Sequence, residues 1–189
     1  MEESQAMAYQ TIIVGLVPDE LAQQVLELRR TFRTRFPPLR LIDSKIPPHI
    51  TVVEPVANLL TDEDLERIDG QPVEQGRVTI TSYGTFTNRG GNAIHLRCES
   101  PSLMRARQDV LGMFPSLIAL VSDSPTFHIT IARPVPHTML APAMNFLRGA
   151  FTPEGMRFTI AKLAVYQRQT PTSPWEPTET TVRLQSLSS

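Results

Sequence analysis

The 189-residue chain is poor in the features that would sort it at a glance. It has one cysteine, Cys98, so it has no internal disulfide framework, and that residue reads as a small buried hydrophobe. Its 18 Lys and Arg against 19 Asp and Glu leave a formal net charge of −1. That excludes a general polyanion binder, and any nucleic-acid contact must come from a local basic cluster. No apolar run reaches the length of a membrane helix, so no membrane partner is expected. The start, MEESQAMAYQ, is acidic and polar where a signal peptide is basic and then apolar, and a cytoplasmic location is the expectation. What remains is ordinary globular composition, 41% hydrophobic and 20% charged, enough for a packed core. With no long linker between its halves, residues 1–189 read as a single bilobal domain.

Proline is plentiful, and its placement is informative. The 17 prolines gather at joints such as Pro37-Pro38, Pro47-Pro48 and Pro134 with Pro136, and so punctuate many short elements. Tyr9–Val17 is apolar and β-branched, a buried strand. Pro18-Asp19-Glu20 opens a helix with Leu21, Val25, Leu28 and Phe32 on one face and an arginine run, 29–35, expected to be solvated. Leu39–Ile42 is a short extended piece. Thr61-Asp62-Glu63-Asp64 starts a capped helix running to about Ile68. Arg77–Tyr83 and Ala93–Glu99 read as strands joined through the turn-rich segment 88–92. Ser100-Pro101 then caps a helix carrying Leu103, Ala106, Val110 and Leu111. Met139–Ala150 is a further helix, and Met156–Tyr166 and Thr180–Leu187 are closing strands around a polar loop, 167–179. The order is mixed α+β, with helices outside mainly antiparallel sheets.

One pattern occurs twice. His49-Ile50-Thr51-Val52 returns, 79 residues on, as His128-Ile129-Thr130-Ile131. On a strand, His and Thr two apart share one face and the apolar residues share the other. A single copy reads as a polar residue on a half-buried strand. Two copies, each after a proline-containing joint, bring two imidazoles and two hydroxyls to a common cleft if the strands face each other. Phosphoester cleavage needs a base for the incoming oxygen and an acid for the leaving one, and imidazole can do either near neutral pH. The threonines can donate hydrogen bonds to the non-bridging phosphate oxygens. The scheme calls for neither metal nor cofactor.

These two His-x-Thr-x motifs resemble the signature of the two-histidine phosphoesterase superfamily, which includes the LigT-like RNA 2′,3′-cyclic phosphodiesterases, or 2′-5′ RNA ligase-like proteins. The opening strand–Pro-Asp-Glu–helix and the closing LAVYQRQTPTSPWEPTETTVRL match it in element order. The resemblance implies two pseudo-symmetric α+β lobes around a central cleft, His49 and His128 as the acid/base pair, and Thr51 and Thr130 as phosphate binders. It implies a nucleotide or RNA-end substrate and hydrolysis of a 2′,3′-cyclic or 2′-5′-linked phosphate, with ligation as the reverse reaction. The rival is a nucleotide or RNA-end binding module without turnover. Which histidine is the acid stays open, because it depends on the direction in which substrate lies.

Other residues carry less. Arg133, Tyr166, Arg168, Lys45 and Trp175 are candidates to contact substrate; Lys45 and Arg40 would do so at the entrance, and Trp175 by stacking on a base, although a lone loop tryptophan also packs its own lobe. His95, between Ile94 and Leu96, reads as a solvent-facing or internally satisfied strand histidine, and His137 as a solvated loop residue. A zinc site from these histidines and Cys98 is not expected, because His95 and Cys98 face opposite ways on a strand. Nothing demands more than a monomer.

Overall fold

A computed structural model of the protein describes residues 10–37, 39, 46–56, 60–69, 73–88, 91–114, 121–170 and 173–185. The chain order is β1 (Gln10–Leu16), α1 (Asp19–Arg35), β2 (His49–Val56), α2 (Asp62–Asp69), β3 (Val73–Glu74), β4 (Gly76–Asn88), β5 (Gly91–Glu99) and α3 (Pro101–Met113). It continues with β6 (His128–Val135), α4 (His137–Ala150), β7 (Arg157–Ile160), β8 (Lys162–Arg168) and β9 (Glu176–Gln185). The architecture is α+β, as expected. A five-stranded sheet has the order β2-β1-β8-β9-β3 and a four-stranded sheet the order β6-β5-β4-β7. All pairings among the described residues are antiparallel except β3 with β9.

The two motif strands are therefore both edge strands, one per sheet, and β2 lies against β6. Their full sequences, HITVVEPV and HITIARPV, align over all eight residues and share nearly the same alternation of half-buried and buried positions. Ile50, Val52, Ile129 and Ile131 supply the buried side. Each motif strand pairs antiparallel with an inner strand, β2 with β1 and β6 with β5.

Two helices, α1 and α3, pack against strands of both sheets or of the opposite one. α1 has acidic Asp19 and Glu20 in its first turn and Arg33 and Arg35 in its last, which suits the helix dipole. Its buried stripe, Leu21, Val25, Leu28 and Phe32, packs on β6 and α4, where Phe32 and Phe36 meet the Phe146 ring at 6.2 and 5.7 Å. α3 begins as expected at Ser100, whose hydroxyl accepts from the Leu103 amide at 3.0 Å with Pro101 in the first turn, and it packs on β4, β3 and β2. At α2, Thr61 Oγ1 accepts from the Asp64 amide and the Asp64 carboxylate accepts from the Thr61 amide and hydroxyl, a reciprocal cap.

Several boundaries differ from the sequence reading. The segment 156–166 is not one strand: β7 belongs to the four-stranded sheet and β8 to the five-stranded one, so the chain changes sheets at Ala161. A continuous apolar pattern does not record such a crossing. In the turn-rich segment 88–92, Asn88, Gly91 and Asn92 are strand, because Thr85, Phe86 and Thr87 extend β4 and Gly91, at φ +113°, begins β5. β9 also starts earlier than expected, at Glu176. His137 opens α4 instead of sitting in a loop, with Pro136 before it, and its side chain is exposed. Of the expected extended piece 39–42, all but Leu39 lies outside the described residues.

Candidate active site

The cleft is built from the two motif strands upward. His49 sits opposite Leu16 and Thr51 opposite Val14 in the β1–β2 register, while His128 sits opposite Arg97 and Thr130 opposite His95 in β5–β6. His49, Thr51, His128 and Thr130 line one cleft of about 250 Å³. Both imidazoles are anchored the same way. Nδ1 of His49 lies 2.7 Å from the Pro47 carbonyl, and Nδ1 of His128 lies 2.8 Å from the Thr126 carbonyl. A carbonyl only accepts, so each Nδ1 carries the proton and donates it. That leaves each Nε2 as the atom that takes or gives a proton. The anchor comes from the backbone two residues upstream, so the extended strand itself sets the tautomer.

Positive charge surrounds this pair. The remaining lining includes Arg29, Arg33, Arg133, Arg168, Ile12, Ile46 and Trp175, and no carboxylate is among the described residues that line the cleft. Arg29 reaches across from α1 and donates through Nε at 3.2 Å and Nη2 at 2.6 Å to the Thr130 carbonyl. Burial lowers the His49 pKa to about 4 against the pull of the Pro47 carbonyl, and Arg29, His128 and Arg133 add to the lowering. His128 is lowered too, by burial first and then by Arg133, with the Thr126 carbonyl opposing. Both imidazoles are therefore neutral at pH 7. An anionic phosphate between them favours the protonated form of its nearer partner.

Of the two alternatives the sequence leaves for His95, the solvent-facing one does not hold. It is 3% exposed and forms part of the wall behind His128. Its ring stacks on Phe86 at 4.0 Å, and both rings meet His128 edge-on, at 5.1 Å from His95 and 4.8 Å from Phe86. Alternation with Ile94 and Leu96 suggests solvent, but β5 is an inner strand covered on both faces. Gly84, directly opposite in β4, makes room: a Cβ there would lie 2.3 Å from His95 Nε2. Burial lowers the His95 pKa to about 4, and its Nδ1 has no hydrogen bond of normal geometry.

A family model, the 2′-5′ RNA ligase superfamily, matches residues 17–172, a span that includes both motifs. The chain belongs to this superfamily. The fold is shared with solved structures of low sequence identity. The structure of TT0787 from Thermus thermophilus superposes with a TM-score of 0.63 at 16% identity, covering 94% of this chain and 98% of that one. E. coli LigT complexed with 3′-AMP gives 0.62 at 15% identity, with the same coverage of 94% and 98%. A protein described as a phosphoesterase gives 0.63 at 15% identity over 95% of this chain and 99% of its own. No curated protein sequence matches the chain.

Among the other candidates for the superfamily's site, Arg133, Arg168 and Trp175 line the cleft. Trp175 also packs on the apolar layer of Ile12, Val14, Ile46, Ala164 and Tyr166, so it is both a packing residue and a cleft wall. Tyr166 is 6% exposed within that layer, beside its cross-strand partner Ile12, and is not among the residues that line the cleft. Lys45 and Arg40 lie outside the described residues. Among the described residues, no group of three or more His, Cys, Asp or Glu is placed to hold a metal ion.

Arg29 and Arg33 belong to the site although their arginine run reads as solvated in the sequence. They lie four residues apart, at Val25 plus four and plus eight, and so flank the buried stripe on the side that meets the cleft. Arg107 carries no sequence signal at all. This α3 residue, 2% exposed, donates to the Val52 carbonyl of β2, to Glu54 at 2.7 Å and to the Ser122 carbonyl at 2.7 Å. Glu54 occupies the place in HITVVEPV that Arg133 occupies in HITIARPV. The repeat thus breaks symmetry there: one copy is tied to Arg107 and the other presents a cation to the cleft.

Proposed function

We propose that the protein is a metal-independent phosphodiesterase that opens a 2′,3′-cyclic, or cleaves a 2′-5′-linked, phosphate of a nucleotide or RNA end. The observation that supports this most is the pair of edge strands that aim two tautomer-fixed imidazoles, with a threonine beside each, into one cation-lined cleft. Water attacks phosphorus as the Nε2 of one neutral imidazole removes its proton; the bond from phosphorus to one ribose oxygen breaks, and the other ring, which enters as an imidazolium protonated at Nε2 beside the anionic phosphate, gives that proton to the leaving oxygen. A cyclic phosphate leaves as a phosphomonoester. Each transfer is worth ~10²–10⁴-fold in rate. Thr51, Thr130, Arg29 and Arg133 stabilise the non-bridging oxygens, where charge builds. Trp175 offers a face for a base. The related LigT structures hold 3′-AMP, NADP+, ATP and phosphate, which fits a nucleotide in this cleft.

The test is a substrate panel in EDTA: nucleoside 2′,3′-cyclic phosphates and 2′-5′ and 3′-5′ dinucleotides, with products separated by chromatography. We expect turnover of the cyclic phosphates or the 2′-5′ linkage and none of the 3′-5′ linkage. Tight nucleotide binding with no turnover of any member would replace the proposal with the binding-module reading.

A further inference from the structure

We propose that Arg107 is a positioning residue for the reaction: its buried guanidinium ties the first motif strand to the segment that leads into the second, and so sets the distance between the two imidazoles. This rests on the proposed function for the reaction that the imidazoles perform. Both motif strands leave their regular pairing at the same place. In β2, Val52 is an extra residue between Thr51, which pairs with Val14, and Val53, which pairs with Ile13. In β6, Ile131 is an extra residue between Thr130, which pairs with His95, and Ala132, which pairs with Ile94. Each is the fourth residue of its motif. A bulge bends its strand and leaves the extra residue without a partner in the ladder, so buried backbone there needs another one. Val52 is fully buried, and its carbonyl accepts from Nη1 of Arg107. On β6 the carbonyl just before the extra residue, that of Thr130, accepts from Arg29.

The two arginines reach across in opposite senses. α1 follows β1 of the five-stranded sheet and packs on β6 of the four-stranded one; α3 follows β5 of the four-stranded sheet and packs on β2 of the five-stranded one. Each motif strand is thus held at its bulge by an arginine from the other half. Arg29 also lines the cleft, whereas Arg107 is 2% exposed and is not among the residues that line it. Arg107 therefore acts on the imidazoles only through the chain. Its Nη1 also donates to Glu54 at 2.7 Å, and its Nη2 donates to the Ser122 carbonyl at 2.7 Å. Ser122 lies four residues before Thr126, whose carbonyl orients His128. A planar guanidinium donates in a fixed fork, so its contacts with Val52 and Ser122 hold the two pieces of backbone at a set separation.

The test compares the parent with Arg107→Met, which nearly keeps the side chain's length, Arg107→Lys and Glu54→Gln, each checked for folding by circular dichroism. The readouts are nitrogen NMR of the histidine rings and steady-state kinetics on adenosine 2′,3′-cyclic phosphate. The ring spectra need no substrate, so they judge the brace separately from the substrate panel, which judges the hydrolase reading. We expect the ring signals of His49 and His128 to shift in Arg107→Met while those of the exposed His137 stay in place. kcat should fall ~10- to 100-fold with KM within about twofold, because the reacting groups are displaced while ground-state contacts remain. Arg107→Lys, which cannot fork between two carbonyls, should recover only part of both. Glu54→Gln keeps both backbone bonds and should leave the rings close to the parent. Unchanged His49 and His128 signals in folded Arg107→Met, or a loss of kcat no larger than in Glu54→Gln, would overturn the proposal. If Arg107→Met does not fold, Arg107→Lys is read against the same two results.

Discussion

Gly84→Ala tests whether the wall behind His128 matters to the chemistry. The added Cβ would sit 2.3 Å from His95 Nε2 and 2.9 Å from Cε1, where ordinary contact begins at 3.4 Å. The imidazole must therefore retreat by about 1 Å, more than packed interiors yield without cost. It is 3% exposed, stacked on Phe86 at 4.0 Å and against His128 at 5.1 Å, so the push passes to those two rings. Overpacking of this kind costs about 1–3 kcal/mol of stability. Misplacing a reacting group by about 1 Å costs on the order of 10²-fold in rate. The assay is urea unfolding together with kcat/KM for adenosine 2′,3′-cyclic phosphate. We expect both losses in Gly84→Ala, and only a small further loss when the same change is made in a His95→Ala background, where the collision partner is gone. A Gly84→Ala protein within about 0.5 kcal/mol and twofold of the parent, roughly the scatter of neutral surface changes, would refute the reasoning.

Three further outcomes follow from the site's electrostatics and packing. In the free enzyme both His49 and His128 titrate below 6.5, so the profile of kcat/KM against pH should peak on the acid side of 6.5 and fall as the general acid loses its proton; a maximum above about pH 7 would contradict this. His95 has a folded pKa of about 4 against 6.5 unfolded, so its contribution is intact above 6.5 and is lost as pH falls towards 4, by at most about 3 kcal/mol. Urea titrations across that window should show a shallower acid loss in His95→Asn, and an unchanged slope would count against the shift. Arg107→Ala removes three hydrogen bonds of a buried cation and should cost about 3 kcal/mol by thermal or urea unfolding; a cost under about 1 kcal/mol would contradict a structural role for those bonds.

Much of the site is legible in the sequence because its logic is local. His and Thr two apart, with apolar residues between, can be read from strand periodicity, and so can the Ser100-Pro101 cap. The repeat extends past the four-residue motif, since HITVVEPV and HITIARPV both close on Pro-Val, and Arg133 marks the position where the copies diverge, the first copy having Glu54 there. What cannot be read depends on tertiary pairing. Arg29 and Arg33 carry a helical spacing signal, but only the packing of α1 on β6 turns their side of the helix into a cleft wall. The sequence leaves His95 either solvent-facing or internally satisfied because alternation says nothing of what covers a strand's second face. Its neighbour Phe86 and the space above Gly84 become visible only once the β4–β5 register is known. Tyr166 is a similar case: that it lies buried beside Ile12, with Trp175 packed on the same layer, depends on the β1–β8 pairing. The crossing at Ala161 leaves no mark in composition at all.

The most direct test of the account is hydrolysis of adenosine 2′,3′-cyclic phosphate in EDTA by the parent protein, His49→Ala and His128→Ala, each checked for folding by circular dichroism. We expect turnover in the parent that survives chelation and falls by ~10² or more in each variant, as the loss of a general acid or base requires. Turnover that persists in both variants would mean the paired imidazoles do not carry the reaction.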